Sequence, residues 1–250
     1  MRFFLLFQFC MSTAAFAQPK NFIKLSQDIL YAVKTGDPAD SLIKQLAGAD
    51  ENDLYAELDT EEKKLAFWLN IYNAFTQTGL QKNPEAYKKR NQFFSDKFFM
   101  IAGKKLSLDL TEHGLLRHSK WKYSLGHFNK IFISAFEKRF RLEKLDFRIH
   151  FALNCGARSC PPIAFYKPEE INRQLDLATK VYLKNEVEYF SEENRVNVPA
   201  IFSWFRGDFG GKKGIIKILK DQKLIPPDSK PLLKWKNYDW TLTLKNYIDQ

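Results

Sequence analysis

Hydrophobic residues recur at helical spacing through the first third of the chain. Residues 21–34 and 41–46 follow this pattern, and Gly36 and Gly48 stand just beyond them as helix-ending residues. The strongest helical segment covers residues 61–80, and its centre is apolar on nearly every side. This pattern predicts a central helix that is buried by the others.

The predicted central helix carries a start signal and a stripe of amide side chains. Asp59 and Glu62 have the spacing of a capping box at its beginning. Asn70, Asn73 and Gln77 follow on one side of the helix. Because an unpaired buried amide costs about 1–3 kcal/mol, these groups need partners. Either a neighbouring loop's backbone receives them, or they form the wall of a site, where Asn70 and Asn73 contact substrate, or hold its catalytic group.

Short elements follow the central helix. The pattern predicts hairpins over 97–107 and 187–198, a buried strand over 147–153, and helices over 108–117, 129–139, 168–184 and 215–219. No repeat or linker divides these elements. We therefore expect one α+β domain whose helices pack on a small, mostly antiparallel sheet.

The first seventeen residues have the pattern of a secretory signal peptide. Arg2 precedes an apolar stretch over 3–9, and Ala15-Phe16-Ala17 forms a small-x-small cleavage site before Gln18. The apolar stretch is too short to cross a bilayer of roughly 30 Å as a helix. We expect the signal peptide at 1–17 to be removed, and the mature chain to be periplasmic or secreted and not transmembrane.

The formal net charge is +10, but the lysines are scattered and form no dense basic arm. Proteins that bind nucleic acid usually group their basic residues on one element, so we expect no nucleic-acid partner. The sequence contains no cofactor motif, and we expect no cofactor. It leaves the oligomeric state open.

The segment over 148–162 contains the only two cysteines that remain once Cys10 leaves with the signal peptide. Three interpretations of Cys155 and Cys160 stay open. They can form a disulfide, as an oxidising compartment favours. One can be a nucleophile. Finally, they can bind a metal, although their spacing misses the usual zinc patterns, so we predict no metal site.

A cysteine nucleophile needs a histidine to accept its proton and a third group to orient that histidine. His113 is the first candidate base, with Asp109 or Glu112 as its orienting carboxylate. Asp109, His113 and Arg117 share one face of the predicted helix, and a surface ladder of ion pairs is the competing interpretation. His150 is a second candidate base, but its position so close to the cysteines favours a core histidine instead.

Four segments together resemble the family catalogued as domain of unknown function 547. They are Ala66-Phe67-Trp68-Leu69-Asn70-Ile71-Tyr72-Asn73-Ala74, Glu112-His113-Gly114-Leu115-Leu116-Arg117, the stretch from Ile149 to Pro162, and Tyr238-Asp239-Trp240. The resemblance implies that the amide stripe, the Glu-His pair and the cysteines belong to one compact domain, which we place at 59–250 after an N-terminal helical segment at 18–58. It carries no established reaction.

The cysteine segment also resembles the active-site loop of papain-like enzymes. That resemblance implies that the second cysteine, Cys160, attacks the substrate, and that Asn154, six residues earlier, helps to hold the oxyanion. It also makes a papain-like arrangement one option for the fold. Arg158 and Ser159 are further candidates for substrate contact. The segment departs from the papain pattern in its spacing and in Pro161, which replaces an aromatic residue.

Two functions remain open, and the sequence does not decide whether the protein is an enzyme. The first is an exported thiol hydrolase or acyltransferase that acts on an amide or acyl bond in the cell envelope, with a peptide or cell-wall polymer as its partner. The second is a non-catalytic envelope binding or scaffold domain. It would keep a Cys155–Cys160 disulfide and would bind its ligand with the aromatic cluster at 201–209.

Overall fold

A computed structural model describes residues 21–248, and the predicted signal peptide at 1–17 lies outside this range. The described chain combines helices with two small sheets, so the predicted α+β class is confirmed. The helices are α1 (Phe22–Thr35), α2 (Asp40–Ala47), α3 (Glu51–Glu57), α4 (Glu61–Lys82), α5 (Arg90–Ser95), α6 (Ala135–Phe140), α7 (Ile171–Glu186), α8 (Ile201–Trp204) and α9 (Gly211–Asp221). In the described part, none of the helices has the length and apolar character needed to cross a membrane.

The helix α4 is the predicted central helix, and side chains are buried along most of its length. It begins one residue later than the predicted capping box requires. The Thr60 hydroxyl accepts a hydrogen bond from the backbone N–H of Lys63, whereas Asp59 forms an exposed ion pair with the Lys63 side chain. The cap is therefore a hydroxyl, which satisfies one of the free N–H groups at the helix start.

The N-terminal helices pack onto α4. Asn21 caps α1, and Gly36 ends it in a left-handed conformation with φ of 83°. The Glu57 carboxylate, at the end of α3, accepts hydrogen bonds from the backbone N–H groups of Phe22 and Ile23 at 2.8 and 2.9 Å. These bonds join the end of α3 to the start of α1, so the described part of the N-terminal segment is integral to the fold.

The sheets are small. Strands β1 (Phe99–Ile101) and β2 (Lys104–Leu106) form the first predicted hairpin. Strands β3 (Glu188–Phe190) and β4 (Arg195–Val198) form the second predicted hairpin, also antiparallel. Strand β5 (Leu232–Trp235) joins β4 in parallel, so the second sheet has the order β3-β4-β5 and mixed directions.

The approach to the cysteines is helical, so the strand predicted over 147–153 is wrong. Residues Phe147–Phe151 form a 3₁₀-helix that begins at Asp146, whose carboxylate accepts the backbone N–H of Arg148. A short apolar run fits a buried strand and a buried helical turn equally well, because periodicity does not separate them at this length.

The helix predicted over 108–117 is present as a π-helix over Leu110–Leu116. Its wider turn is visible in the bond from the Arg117 N–H to the Glu112 carbonyl, five residues earlier, at 2.8 Å. Wider turns of this kind occur often at functional sites. In this protein the π-helix carries Glu112 and His113, and Asp109 and Arg117 flank it at its two ends.

The helix predicted over 129–139 begins later than expected. Ser134 caps α6, and its hydroxyl accepts the backbone N–H of Glu137 at 3.1 Å. Residues 129–133 form no helix, and Ile131 and Phe132 within them are exposed.

Candidate functional site

A cavity of about 580 Å³ is lined by α4, the π-helix, the cysteine segment, α8 and the C-terminal stretch. Its lining includes most of the reactive side chains that the sequence singled out. The lining residues that can ionise are Tyr72, Arg90, Asp109, Glu112, His113, Lys122, Tyr123, His150, Cys155 and Tyr238. The fold therefore brings the π-helix histidine and the cysteine segment to one cavity.

The amides of α4 position loops and do not line this cavity. The Asn73 side chain donates to the Ala152 carbonyl at 3.1 Å and accepts the backbone N–H of Asn154 at 2.9 Å. Asn70 makes the same two-way contact with the backbone of Tyr166, at 2.9 Å in each direction. The structure thus follows the interpretation in which neighbouring backbone receives the amides, and it gives Asn70 and Asn73 no place among the cavity-lining residues.

The Asn154 amide holds the cysteine turn, which we define as residues 152–162. Its nitrogen donates to the Pro161 carbonyl at 2.8 Å, and its oxygen accepts the backbone N–H of Gly156 at 2.9 Å. Asn154 is fully buried and is not among the cavity-lining residues. The role in holding the oxyanion that the papain-like resemblance implied stays a prediction.

The two cysteines are free thiols, with their sulfur atoms 2.6 Å apart. Cys155 lines the cavity, whereas Cys160 is 5% exposed and does not. The backbone N–H of Cys155 donates to the Cys160 sulfur at 3.0 Å, and the Tyr238 hydroxyl lies 3.1 Å from the same sulfur. The structure has no bond between the two sulfur atoms, the disulfide of the scaffold interpretation stays a prediction, and Cys155 is the one of the two candidate nucleophiles that lines the cavity.

The two thiols differ in their acidity. A hydrogen bond from Cys160 lowers the pKa of Cys155, and this effect, with help from the Tyr238 hydroxyl, outweighs burial. Burial raises the pKa of Cys160 well above its ordinary value. Cys155, the thiol that lines the cavity, is therefore the more acidic of the two.

Arg158 and Ser159 lie outside the cavity and contact the C-terminal stretch. The Ser159 hydroxyl accepts the backbone N–H of Asp239 at 2.9 Å. The Arg158 side chain is 68% exposed and reaches the Asp239 carboxylate only at 4.0 Å. The structure gives both residues a role at the edge of the cysteine turn, away from the cavity lining.

His113 is held as a neutral ring. Arg117 Nη1 lies 2.8 Å from His113 Nδ1, and a guanidinium has only donors, so Nδ1 accepts and Nε2 carries the hydrogen. Burial, followed by the charge of Arg117, lowers the pKa of His113 well below its ordinary value. The carboxylate of Asp109 lies 3.6 Å from Nε2. This tautomer makes His113 a hydrogen-bond donor toward the cavity and conflicts with its predicted role as the base.

Behind His113 lies a buried charged network that the surface-ladder interpretation did not foresee. Arg117 Nε donates to Asp208 Oδ2 at 2.7 Å, and His150 Nε2 lies 2.9 Å from the same oxygen. Arg117 is fully buried, and its guanidinium stacks over the Phe205 ring at 4.5 Å. The network joins the π-helix to the segment after α8.

The network also sets the charge of its members. Burial disfavours ionised Asp208, but hydrogen bonds from His150 and Arg117 outweigh it, and the pKa of Asp208 lies below its ordinary value. Burial lowers the pKa of His150 to about 4 despite the neighbouring Asp208. Although His150 lines the cavity, its neutral ring is a weak proton acceptor at pH 7.

Glu112 is the carboxyl group in the cavity whose acidity suits proton transfer. Burial raises its pKa to about 7, and the charge of Arg117 opposes that rise. The Tyr72 hydroxyl donates to Glu112 Oε2 at 3.2 Å. A group whose pKa lies near the working pH can both accept and return a proton, so Glu112, predicted only as an orienting residue, is the strongest acid-base candidate.

Three aromatic rings, called here the aromatic wall, form part of the cavity lining. Trp204, Tyr238 and Trp240 pack with ring centroids 4.6–5.4 Å apart, and the Arg90 guanidinium lies 4.6 Å from the Trp240 ring. Sequence reasoning missed Arg90 and the role of Asp208. The signal for Asp208 was present, because it is the single acidic residue in the aromatic run 201–209.

Among residues 21–248, no three His, Cys, Asp or Glu side chains are grouped so that they could hold a metal ion.

A family model described as protein of unknown function, DUF547, matches residues 55–183. The chain belongs to the DUF547 family. No curated protein and no solved structure matches the chain. The papain-like arrangement therefore stays a prediction. The family match includes α4, the π-helix and both cysteines, whereas Asp208 and the aromatic wall lie beyond its end.

Proposed function

We propose that the cavity is the active site of a thiol hydrolase or acyltransferase that acts on an amide or acyl bond. The observation that carries this proposal is the pairing of Cys155, a cavity-lining thiol of lowered pKa, with Glu112, a carboxyl group of pKa about 7 in the same cavity. A nucleophile and a matched proton carrier are the minimum that acyl transfer requires.

The first half of the reaction forms a thioester. Glu112, as the carboxylate, accepts the proton of the Cys155 thiol, and the sulfur bonds to the carbonyl carbon of the substrate. When the bond from that carbon to the leaving nitrogen or oxygen breaks, Glu112 returns the proton to the leaving atom. Tyr72 supports this role, because its hydroxyl bonds to Glu112 and keeps the carboxyl group in place.

The second half releases the acyl group. In a hydrolase, water attacks the thioester carbon and gives its proton to Glu112; in an acyltransferase, a second hydroxyl or amine does so. The Cys155 sulfur leaves as the thiolate and recovers the proton from Glu112. The hydrogen bonds from Cys160 and Tyr238 favour this leaving thiolate.

His113 supplies the hydrogen bond to the oxyanion in this proposal. Because Arg117 occupies Nδ1, the Nε2–H group is available to a substrate oxygen. The ring stays neutral at working pH, so it donates without taking part in the proton transfer. His113, predicted from the sequence as the base, thus serves as the hydrogen-bond donor to the oxyanion. Glu112, predicted as an orienting carboxylate, serves as the base.

The proposed setting is the cell envelope, with a peptide or cell-wall polymer as the substrate. It rests on the signal-like pattern of residues 1–17 and on the aromatic wall, which offers flat apolar surfaces to a peptide or sugar ring. The basic net charge of the chain suits an anionic envelope polymer.

Acylation by an activated ester tests the reaction. The protein, kept reduced with a phosphine, is mixed with p-nitrophenyl butyrate, and intact mass and peptide mass spectra locate the acyl group. We expect one butyryl group on Cys155, with a rate that rises with pH through about 7 as Glu112 ionises. Cys155→Ser should remove the adduct, Glu112→Gln should slow its formation at least about tenfold, and Cys160→Ser should leave the site of acylation unchanged.

An adduct confined to surface lysines, or an equal rate in Cys155→Ser, would overturn the proposal. The second candidate function is non-catalytic ligand binding, which the aromatic wall favours. In that case the ester assay fails, while a peptide or glycan quenches the fluorescence of Trp204 and Trp240 equally in the wild type and in Cys155→Ser.

A further inference from the structure

The segment over 121–132, called here the aromatic loop, exposes an unusual concentration of large hydrophobic side chains. Ile131 and Phe132 are 90% and 91% exposed. The exposed large hydrophobic residues of the loop are Trp121, Tyr123, Leu125, Phe128, Ile131 and Phe132. Elsewhere in residues 21–248 such residues stand singly or in pairs on the surface. A contiguous apolar surface on a soluble domain marks an interaction site.

The exposure is built into the fold. The backbone N–H of Trp121 donates to the Phe128 carbonyl at 2.9 Å, and that of Lys130 donates to the Ser119 carbonyl at 2.8 Å. A third bond comes from outside the loop, where the backbone N–H of Gly207 donates to the Leu125 carbonyl at 2.7 Å. The first two bonds close the loop on itself and the third ties it to the segment after α8, so the backbone that carries the exposed apolar side chains has a defined geometry.

The charged residues within the loop segment are all basic. Residues 118–136 contain three lysines and no acidic residue. Lys122 and Lys130 pair with acids of the domain, whereas Lys120 and, on α6, Lys138 form no ion pair within residues 21–248. The loop therefore presents apolar side chains with unpaired lysines beside them. This combination is complementary to an apolar layer that is covered by anionic groups.

We propose that the aromatic loop binds the surface of an anionic lipid bilayer, with Ile131 and Phe132 inserted among the acyl chains. Trp121 and Tyr123 would lie at the level of the headgroups, where amphipathic rings are favoured. Lys120 and Lys138 would contact anionic headgroups. Tyr123 and Leu125 also line the cavity, so the bilayer would meet the molecule beside the cavity opening. This inference is independent of the proposed reaction.

Co-sedimentation with vesicles tests the proposal. The probes are vesicles of phosphatidylglycerol with phosphatidylcholine, and vesicles of phosphatidylcholine alone. The protein is used as the full chain and as a form beginning at Gln18, which keeps every residue that the structure describes. We expect binding to the anionic vesicles that is at least about tenfold stronger than to the neutral ones, and that weakens as salt is added.

Ile131→Ser with Phe132→Ser should reduce binding to the anionic vesicles by about tenfold or more, because most of the inserted apolar surface is lost. The matched control is Leu177→Ser with Leu232→Ser, which removes two exposed apolar side chains outside the loop and should leave binding unchanged. Lys120→Glu with Lys138→Glu should remove the preference for anionic vesicles.

Equal binding by the loop variant and the wild type would overturn the proposal, as would no binding to either vesicle. Sedimentation equilibrium of the same proteins without lipid tests the alternative that a second copy of the chain covers the aromatic loop. A dimer that the loop variant loses, together with absent vesicle binding, would make a second copy of the chain the partner and would overturn the lipid assignment.

Discussion

In the charged network behind the cavity, the side chains of Arg117 and Asp208 are buried, whereas in the aromatic loop apolar side chains such as Ile131 and Phe132 are exposed. Both regions invert the usual distribution, in which charged side chains are exposed and apolar ones are buried. The charged network finds its partners inside the chain, because Arg117 and His150 both bond to Asp208. The loop finds no such cover there. A region of the first kind holds its own groups in place, and a region of the second kind implies a partner outside the chain.

The largest expected effect concerns the buried ion pair. Arg117→Met leaves Asp208 buried with only His150 as its side-chain partner, so we expect the free energy of unfolding to fall by about 3–5 kcal/mol. Urea unfolding at pH 7.5 measures it. Arg158→Met is the control, because its exposed pair should contribute about 0–1 kcal/mol. Equal losses in the two variants would contradict the claim that burial makes the Arg117–Asp208 pair important for stability.

Asn73→Ala should have the next largest effect. It leaves the Ala152 carbonyl and the Asn154 N–H without their side-chain partner in a buried position, so we expect a loss of about 2–4 kcal/mol in unfolding free energy. Asn52→Ala, which removes an exposed amide, is the control for the same urea experiment. If both variants lose little stability, the cysteine turn does not depend on α4 as described.

Glu112→Gln should stabilise the protein in alkaline solution. The folded-state pKa of Glu112, about 7, lies above its ordinary value of 4.5, so wild-type stability falls as pH rises through this window. Above pH 7 the whole penalty is present, and the variant should be more stable by up to about 3 kcal/mol. Below pH 4.5 the two proteins should match. Unfolding curves between pH 4 and 8 measure the difference, and a difference that does not depend on pH would refute the raised pKa.

The smallest effect is expected in the aromatic loop. Ile131→Ser with Phe132→Ser should change the unfolding free energy by less than about 0.5 kcal/mol, because these side chains pack against little of the protein. A loss well above 1 kcal/mol would mean that the loop is covered by the chain itself, and it would remove the contrast with the charged network.

Much of the helical framework followed from the sequence, because long periodic segments constrain it strongly. The range of α4 and both hairpins agree with the pattern of apolar residues. The run before Cys155 did not, since seven apolar-rich residues fit a strand as well as a 3₁₀-helix. The π-helix was also beyond reach, because one extra residue per turn leaves no mark on so short a pattern.

The sequence predicted which residues lie at the site better than it predicted their roles. The sequence identified His113, Glu112 and Cys155, and the cavity contains all three. Their roles depend on contacts between distant residues: Arg117 fixes the tautomer of His113, and burial raises the pKa of Glu112. Asn154 was assigned to the substrate from its spacing, but its amide bonds to the turn itself.

The most direct test of the account is the rate of alkylation of each cysteine in the folded, reduced protein. Iodoacetamide is added between pH 6 and 9, and peptide mass spectra follow the two adducts separately. The account predicts that Cys155 is modified at pH 6, well before Cys160, with a midpoint below that of an ordinary thiol at about 8.5. No adduct at pH 6 on either sulfur, or faster modification of Cys160, would contradict it.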